Sequence, residues 1–169
     1  PVVIQPTSTH TYTFVLLHGL GSNGDKFGRE FLETGVSSEG KTLTTFFLGA
    51  KFIFPTAKWR RSSAFGRARL TQWFNIYSLK DPSQRQELQL EGFSESAVYI
   101  RSIISQEMET LPPGKIILGG LSQGCAMSLL VLLSLEFPLY AYISMSGWLP
   151  SRGDIDAIIS DRDGDTLED

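Results

Sequence analysis

The sequence predicts an α/β fold, a mostly parallel central sheet with helices on both faces. Three observations carry that prediction. Short apolar runs end in glycine- or proline-bearing turns, and a longer segment between two of them repeats apolar residues at helical spacing. A serine flanked by glycines stands where one such run gives way to a largely apolar helix. With 169 residues, 41% hydrophobic and 20% charged, the chain is long enough to bury one sizeable core.

Tyr12 to His18 is a buried strand running into the glycine-rich loop from Gly19 to Gly24. Phe27, Phe31 and Leu32 fall at helical spacing, and Gly35 with the polar stretch 37–45 ends that element. Ala50 to Pro55 is a second buried strand. Phe93, Ala97, Ile100, Ile104 and Met108 step by four, three, four and four, which puts them on one face of a helix stopped by Pro112-Pro113-Gly114. Lys115 to Gly119 is a third strand, Gln123 to Glu136 a helix, and Leu139 to Met145 a fourth strand. No repeat or low-complexity tract interrupts the pattern, so a single domain over 1–169 is the simplest account, with 151–169 an acidic tail.

Composition excludes several classes. No apolar run approaches the roughly 18 residues of a membrane span. The net charge of −3 argues against a nucleic-acid binder, whose basic excess is usually large. Cys125 is the only cysteine and there is no signal-peptide pattern, so a cytoplasmic protein with a trimmed start is expected. No motif calls for a cofactor, and Gly19, Gly21 and Gly24 lack the spacings of a phosphate-binding loop.

The most informative residues are Gly120-Leu121-Ser122-Gln123-Gly124, a G-x-S-x-G element between a strand and a helix. A serine on so tight a turn needs small neighbours two positions away on either side, because the backbone leaves no room for side chains there. The helix that follows directs N–H groups and its positive dipole end toward the serine, which suits stabilisation of an oxyanion after attack on a carbonyl. Alone, the motif also fits a plain Gly-Ser turn; its position after a strand favours the catalytic reading. The loop His18-Gly19-Leu20-Gly21 stands where a second oxyanion donor is expected, and the Leu20 amide is the candidate.

Weaker signals remain. Lys58, Arg60, Arg61, Arg67 and Arg69 place five of the fifteen basic residues in twelve positions, interleaved with Trp59 and Phe65. A solvated loop beside the site is the favoured account, and contact with acidic lipid or nucleic acid the other. The tail holds seven of the eighteen acidic residues, and Asp161, Asp163 and Asp165 fit a calcium loop poorly; a solvated, disordered segment without bound metal is expected. Cys125 reads as a small buried hydrophobe.

Leu-Leu-His-Gly-Leu-Gly (16–21), Ile-Phe-Pro-Thr-Ala (53–57), Gln-Trp-Phe-Asn-Ile (72–76), Ile-Ile-Leu-Gly-Gly-Leu-Ser-Gln-Gly (116–124) and Ser-Gly-Trp-Leu-Pro (146–150) together resemble the acyl-protein thioesterase family of α/β-hydrolases, also called phospholipase/carboxylesterases. The likeness covers about residues 10 to 150. It implies an α/β-hydrolase fold that is C-terminally incomplete, and a serine hydrolase of acyl esters or thioesters. Ser122 would be the nucleophile, the amides of Leu20 and Gln123 the oxyanion hole, and Trp73-Phe74 with Trp148-Leu149 the flanks of an acyl-binding groove. Implied substrates are S-acylated proteins, lysophospholipids or small esters, reached through transient contact with a membrane surface. The family also needs a histidine base oriented by a carboxylate, in the chain order Ser, Asp, His. His10 and His18 are the only histidines, and both precede Ser122. The triad Asp and His are therefore missing, as if the family's last third were absent, and this chain alone is expected to be inactive. A shortened segment, a short gene product, or a noncatalytic module that binds an acyl chain or a protein would each account for this. Losing edge strands would expose Leu139 to Met145 as an apolar edge, from which a homo-oligomer is expected.

Overall fold

Why the strands form where they do is legible in their side chains. Val15, Leu16 and Leu17 are fully buried, as are Phe52 and Phe54, so both faces of the sheet are covered and the strands read as apolar runs rather than alternating ones. The computed structural model describes residues 1–164. In chain order these are β1 (Val2–Ile4), β2 (Tyr12–Leu17), α1 (Gly24–Thr34), α2 (Leu43–Phe46), β3 (Ala50–Phe54), β4 (Trp59–Arg61), β5 (Arg69–Thr71), α3 (Leu90–Met108), β6 (Ile116–Leu121), α4 (Gln123–Leu133), β7 (Ala141–Met145) and α5 (Arg152–Gly164).

Five strands make one sheet in the order β1-β3-β2-β6-β7. All pairings are parallel except that of β1 with β3. Pairing of Leu17 with Gly120 brings the C-terminal ends of β2 and β6 side by side, so the loops that leave them meet at one end of the sheet. Such a crevice is where open α/β sheets hold their ligands. One core cluster packs α3 and α4 against the sheet through Ile100, Ile104, Met127 and Val131, and a second packs α1 through Phe27. Asn23 caps α1, its side chain accepting from the Lys26 N–H at 2.8 Å. Among the described residues, no helix is long and apolar enough to cross a membrane.

Several expectations need correction. β1 escaped sequence reasoning because three residues are too few to show a period. The basic stretch read as a solvated loop is a two-stranded antiparallel hairpin, β4 with β5, in which Arg60 turns inward to Glu95 at 2.5 Å. The tail read as disordered is helical over Arg152–Gly164, opened by Ile155 N–H donating to the Ser151 carbonyl. Asp161 and Asp163 thus lie on helical backbone rather than in a calcium loop, while Asp165 and the rest of the tail lie outside the described residues. The α3 face also buries a charge that the apolar stripe did not announce. Glu107 accepts from Lys51 Nζ at 2.6 Å and from Thr13 Oγ1 at 2.9 Å, tying α3 to β2 and β3.

Candidate active site

Ser122 links β6 to α4 with φ 53° and ψ −116°, a positive-φ conformation that residues other than glycine rarely adopt. Its N–H donates to the Met145 carbonyl at 2.8 Å and its carbonyl accepts the first helical bond from Ala126 at 3.0 Å, so neighbouring structure holds the strained residue in place. The flanking glycines are required by space. A Cβ on Gly120 would lie 2.5 Å from the Gly124 carbonyl carbon, and one on Gly124 would overlap the carbonyl oxygens of Leu17 and His18. Sequence reasoning asked for small residues at both positions, and these contacts are the reason.

The loop after β2 lies against this turn. A Cβ on Gly19 would sit 3.7 Å from that of Ser122. Ser122, Leu121, Leu20 and Gly21 line one cleft of about 670 Å³, whose apolar wall is made by Phe65 and Leu70 of the hairpin and by Leu79. Among the described residues, neither the Leu20 amide nor that of Gln123 has a backbone or side-chain acceptor, which leaves two donors beside the serine.

The Gln123 side chain does more than the sequence disclosed. It is buried, accepting from the Trp73 N–H through Oε1 at 2.9 Å and donating through Nε2 to the Phe74 carbonyl at 2.9 Å. Trp73 in turn donates its indole N–H to the His18 carbonyl at 2.8 Å. The serine turn, the loop after β2 and residues 73–74 are thereby joined in one hydrogen-bonded unit. A polar residue inside an otherwise apolar helix start was the available signal for Gln123.

His18 is fully buried, its ring 5.0 Å from the Trp73 ring. Nδ1 donates to the Gly19 carbonyl at 2.7 Å, while Nε2 accepts from the Ala57 N–H at 3.0 Å. Burial holds its pKa below the ordinary histidine value, only partly opposed by the Gly19 bond. Both ring nitrogens are committed to backbone, so His18 braces the loop and is no base for Ser122. His10 bonds Thr13 at the opposite end of β2, also away from the serine.

The four aromatic and aliphatic residues expected to flank a groove are placed differently. Trp73 and Phe74 expose nothing; Phe74 packs on Phe93 at 4.5 Å and edge-on to Trp148 at 6.1 Å. Trp148 and Leu149 line a separate cavity of about 190 Å³ with Pro82 and Gln86. The wall of the serine's cleft belongs instead to Phe65, Leu70, Leu79 and Leu121, whose proximity depends on chain-distant packing. Cys125 is buried as expected, its Sγ 3.1 Å from Ser144 Oγ.

The model of the phospholipase/carboxylesterase family matches residues 1–161. The chain belongs to that family. Among curated members, acyl-protein thioesterase 1 of Kluyveromyces lactis is 32% identical over 154 residues, covering 90% of this chain and 64% of the relative. The Schizosaccharomyces pombe acyl-protein thioesterase 1 is 32% identical over 150 residues, 88% of this chain and 61% of that protein. The chain thus spans less than two thirds of the length of these relatives. Among solved structures, Zea mays acyl-protein thioesterase 2 superposes with a TM-score of 0.67 at 29% identity, over 94% of this chain and 66% of that one. Arabidopsis thaliana SOBER1 does so with 0.68 at 26% identity, over 86% and 66%. The family's α/β-hydrolase fold is the one seen here, with the antiparallel β1 as the departure from a wholly parallel sheet.

Proposed function

We propose that this chain carries the nucleophile and oxyanion donors of a hydrolase of acyl esters and thioesters. What supports the reading is one observation: Ser122 stands in a left-handed turn at the start of α4, in the same cleft as the free Leu20 amide. Ser122 Oγ attacks the acyl carbonyl carbon, the amides of Leu20 and Gln123 take up the negative charge, and the alcohol or thiol departs carrying the proton that the Ser122 hydroxyl gives up. Water then releases the acyl group from the serine. Each oxyanion donor contributes about 3 kcal/mol to such a step. The apolar wall suits an acyl chain, so S-acylated proteins, lysophospholipids and small carboxylic esters are the substrates proposed, in the cytoplasm.

The Ser122 proton has no histidine to receive it among the described residues. Turnover by these 169 residues alone is therefore expected to be slow, at the roughly 10³ to 10⁴ over water that binding and oxyanion stabilisation retain without a triad. The experiment is fluorophosphonate labelling read by intact mass, on this chain, on its Ser122→Ala variant and on the product of the whole reading frame. Strong labelling of the whole product at Ser122, with weak labelling here, supports the hydrolase. Absence of labelling in both sinks it and leaves a module that binds acyl chains or a protein.

A further inference from the structure

An acyl carbonyl sends its acyl chain and its leaving group to opposite sides, so the two walls of the Ser122 cleft face different parts of a substrate. One wall, made by Phe65, Leu70 and Leu79, is apolar. Arg61 and Arg69 of the same hairpin stand across from one another in its register, and neither lines the cleft. The other wall is α1, which contributes the buried Phe27 and the exposed Lys26 and Glu30. Residues four apart share one face of a helix. Yet Lys26 and Glu30 form no ion pair with each other or with any described residue, whereas Asp25 and Arg29, at the same spacing, are bridged at 2.6 Å. Their order is also the poorer one for a helix. A cation in the first turn opposes the dipole, and an acid placed before a base at this spacing stabilises more than the reverse. α1 thus holds Lys26 where a helix disfavours a cation and leaves it unpaired next to the Leu20 loop, with Glu30 one turn farther along.

We propose that α1 reads the charges of the leaving group, Lys26 meeting an acidic side chain near the acylated residue and Glu30 a basic one farther along, so that the preferred substrate is an acylated peptide whose flank carries an acid and then a base. The inference deepens the hydrolase reading and rests on its assignment of the cleft. The spacing fits. Cβ atoms one helical turn apart are about 5–6 Å from each other, and alternate side chains of an extended peptide stand about 6.6 Å apart on one face. A choline headgroup fits less well, because a quaternary ammonium is held by open aromatic faces and the ring on this wall, Phe27, is buried. A neutral alcohol engages neither charge.

Fluorescence anisotropy of dye-labelled peptides on this chain tests it, with an amide-linked acyl group in place of the thioester so that binding is read without turnover. One peptide carries Asp two residues and Lys four residues from the acylated position, on both sides, since either flank can lie along α1. Its counterpart exchanges Asp with Lys and keeps composition and net charge. The first is expected to bind about 15-fold more tightly, from roughly a factor of two for each attraction gained and each repulsion avoided. That ratio shrinks as added salt shortens the Debye length toward about 3 Å near 1 M. Lys26→Glu with Glu30→Lys inverts the preference, and because the exchanged order suits the helix the variant keeps its fold, checked by thermal melting. Arg29→Ala, on α1 but paired with Asp25 and outside the cleft, leaves the ratio unchanged. No binding, equal binding of the two peptides, a preference that survives the charge exchange, or displacement of the favoured peptide by glycerophosphocholine would each overturn the proposal. Labelling at Ser122 in the product of the whole reading frame, with no charge preference in the peptides, rejects this inference alone. A charge preference without labelling rejects the hydrolase reading alone.

Discussion

The serine turn and the basic hairpin are both tight reversals beside the same cleft, yet they are stabilised in opposite ways. Around Ser122, side chains are absent where backbones touch, and the polar side-chain atoms of Gln123 and His18 all have partners. Along the hairpin and the residue after it, buried Arg60 Nε, Ser62 Oγ and both amide atoms of Gln72 have none among the described residues. The first region is braced because its buried polar side chains are satisfied, which leaves only the oxyanion donors free. The second gives up stability, and its exposed cations and aromatics are what it gains. Substitutions therefore have opposite signs in the two places.

The largest effect is expected from Gly124→Ala, whose new methyl overlaps the carbonyl oxygens of Leu17 and His18. It costs about 3 kcal/mol or more in urea unfolding, the upper end of overpacking, since backbone rather than a side chain must move. Gln123→Ala comes next. It orphans the Trp73 N–H and Phe74 carbonyl, for a loss of about 2 kcal/mol in the same measurement.

On the hairpin side, Gln72→Met exchanges an unpartnered buried amide for an apolar chain of similar length. Stability rises by about 1 kcal/mol; a loss instead would show that the amide is held by contacts not seen here. Arg67→Gly relaxes the left-handed tip and adds about 0.5 kcal/mol in the same measurement.

The last prediction concerns pH. The His18 pKa lies lower in the folded chain than its ordinary 6.5, so the fold prefers the neutral ring. Its contribution is complete above about pH 6.5 and is lost as pH falls toward the depressed value. Urea midpoints at neutral and mildly acidic pH should diverge in the wild type and converge in His18→Asn. Equal divergence in the variant would assign the effect elsewhere.

Much of this was legible in the sequence. β2, β3, β6, α3 and α4 all announced themselves, because apolar runs and 3.6-residue periodicity record burial directly. Ser122 was legible through Gly120 and Gly124, since local sterics leave glycine alone at those positions. The boundaries were softer: α4 ends at Leu133 rather than Glu136, where the Ser134 N–H turns back to the Leu130 and Val131 carbonyls. Trp73 and Phe74 were misplaced because an aromatic residue reads the same whether it lines a cleft or fills a core. The β4–β5 hairpin was hidden by its arginines, which argue for solvent unless Glu95, distant in sequence, is known to stand beside Arg60.

The sequence by itself determined the strand-to-helix serine turn, the layered α/β class and the family. These depend on residues within a few positions of one another, where the chain's own geometry is the constraint. Only the tertiary structure decided that His18 is a brace rather than a base. It alone decided which side chains wall the cleft, that Glu107 is a buried partner of Lys51, and that Arg61 opposes Arg69. Each of these depends on which distant backbone comes to lie alongside, and strand order and register, not local spacing, fix that.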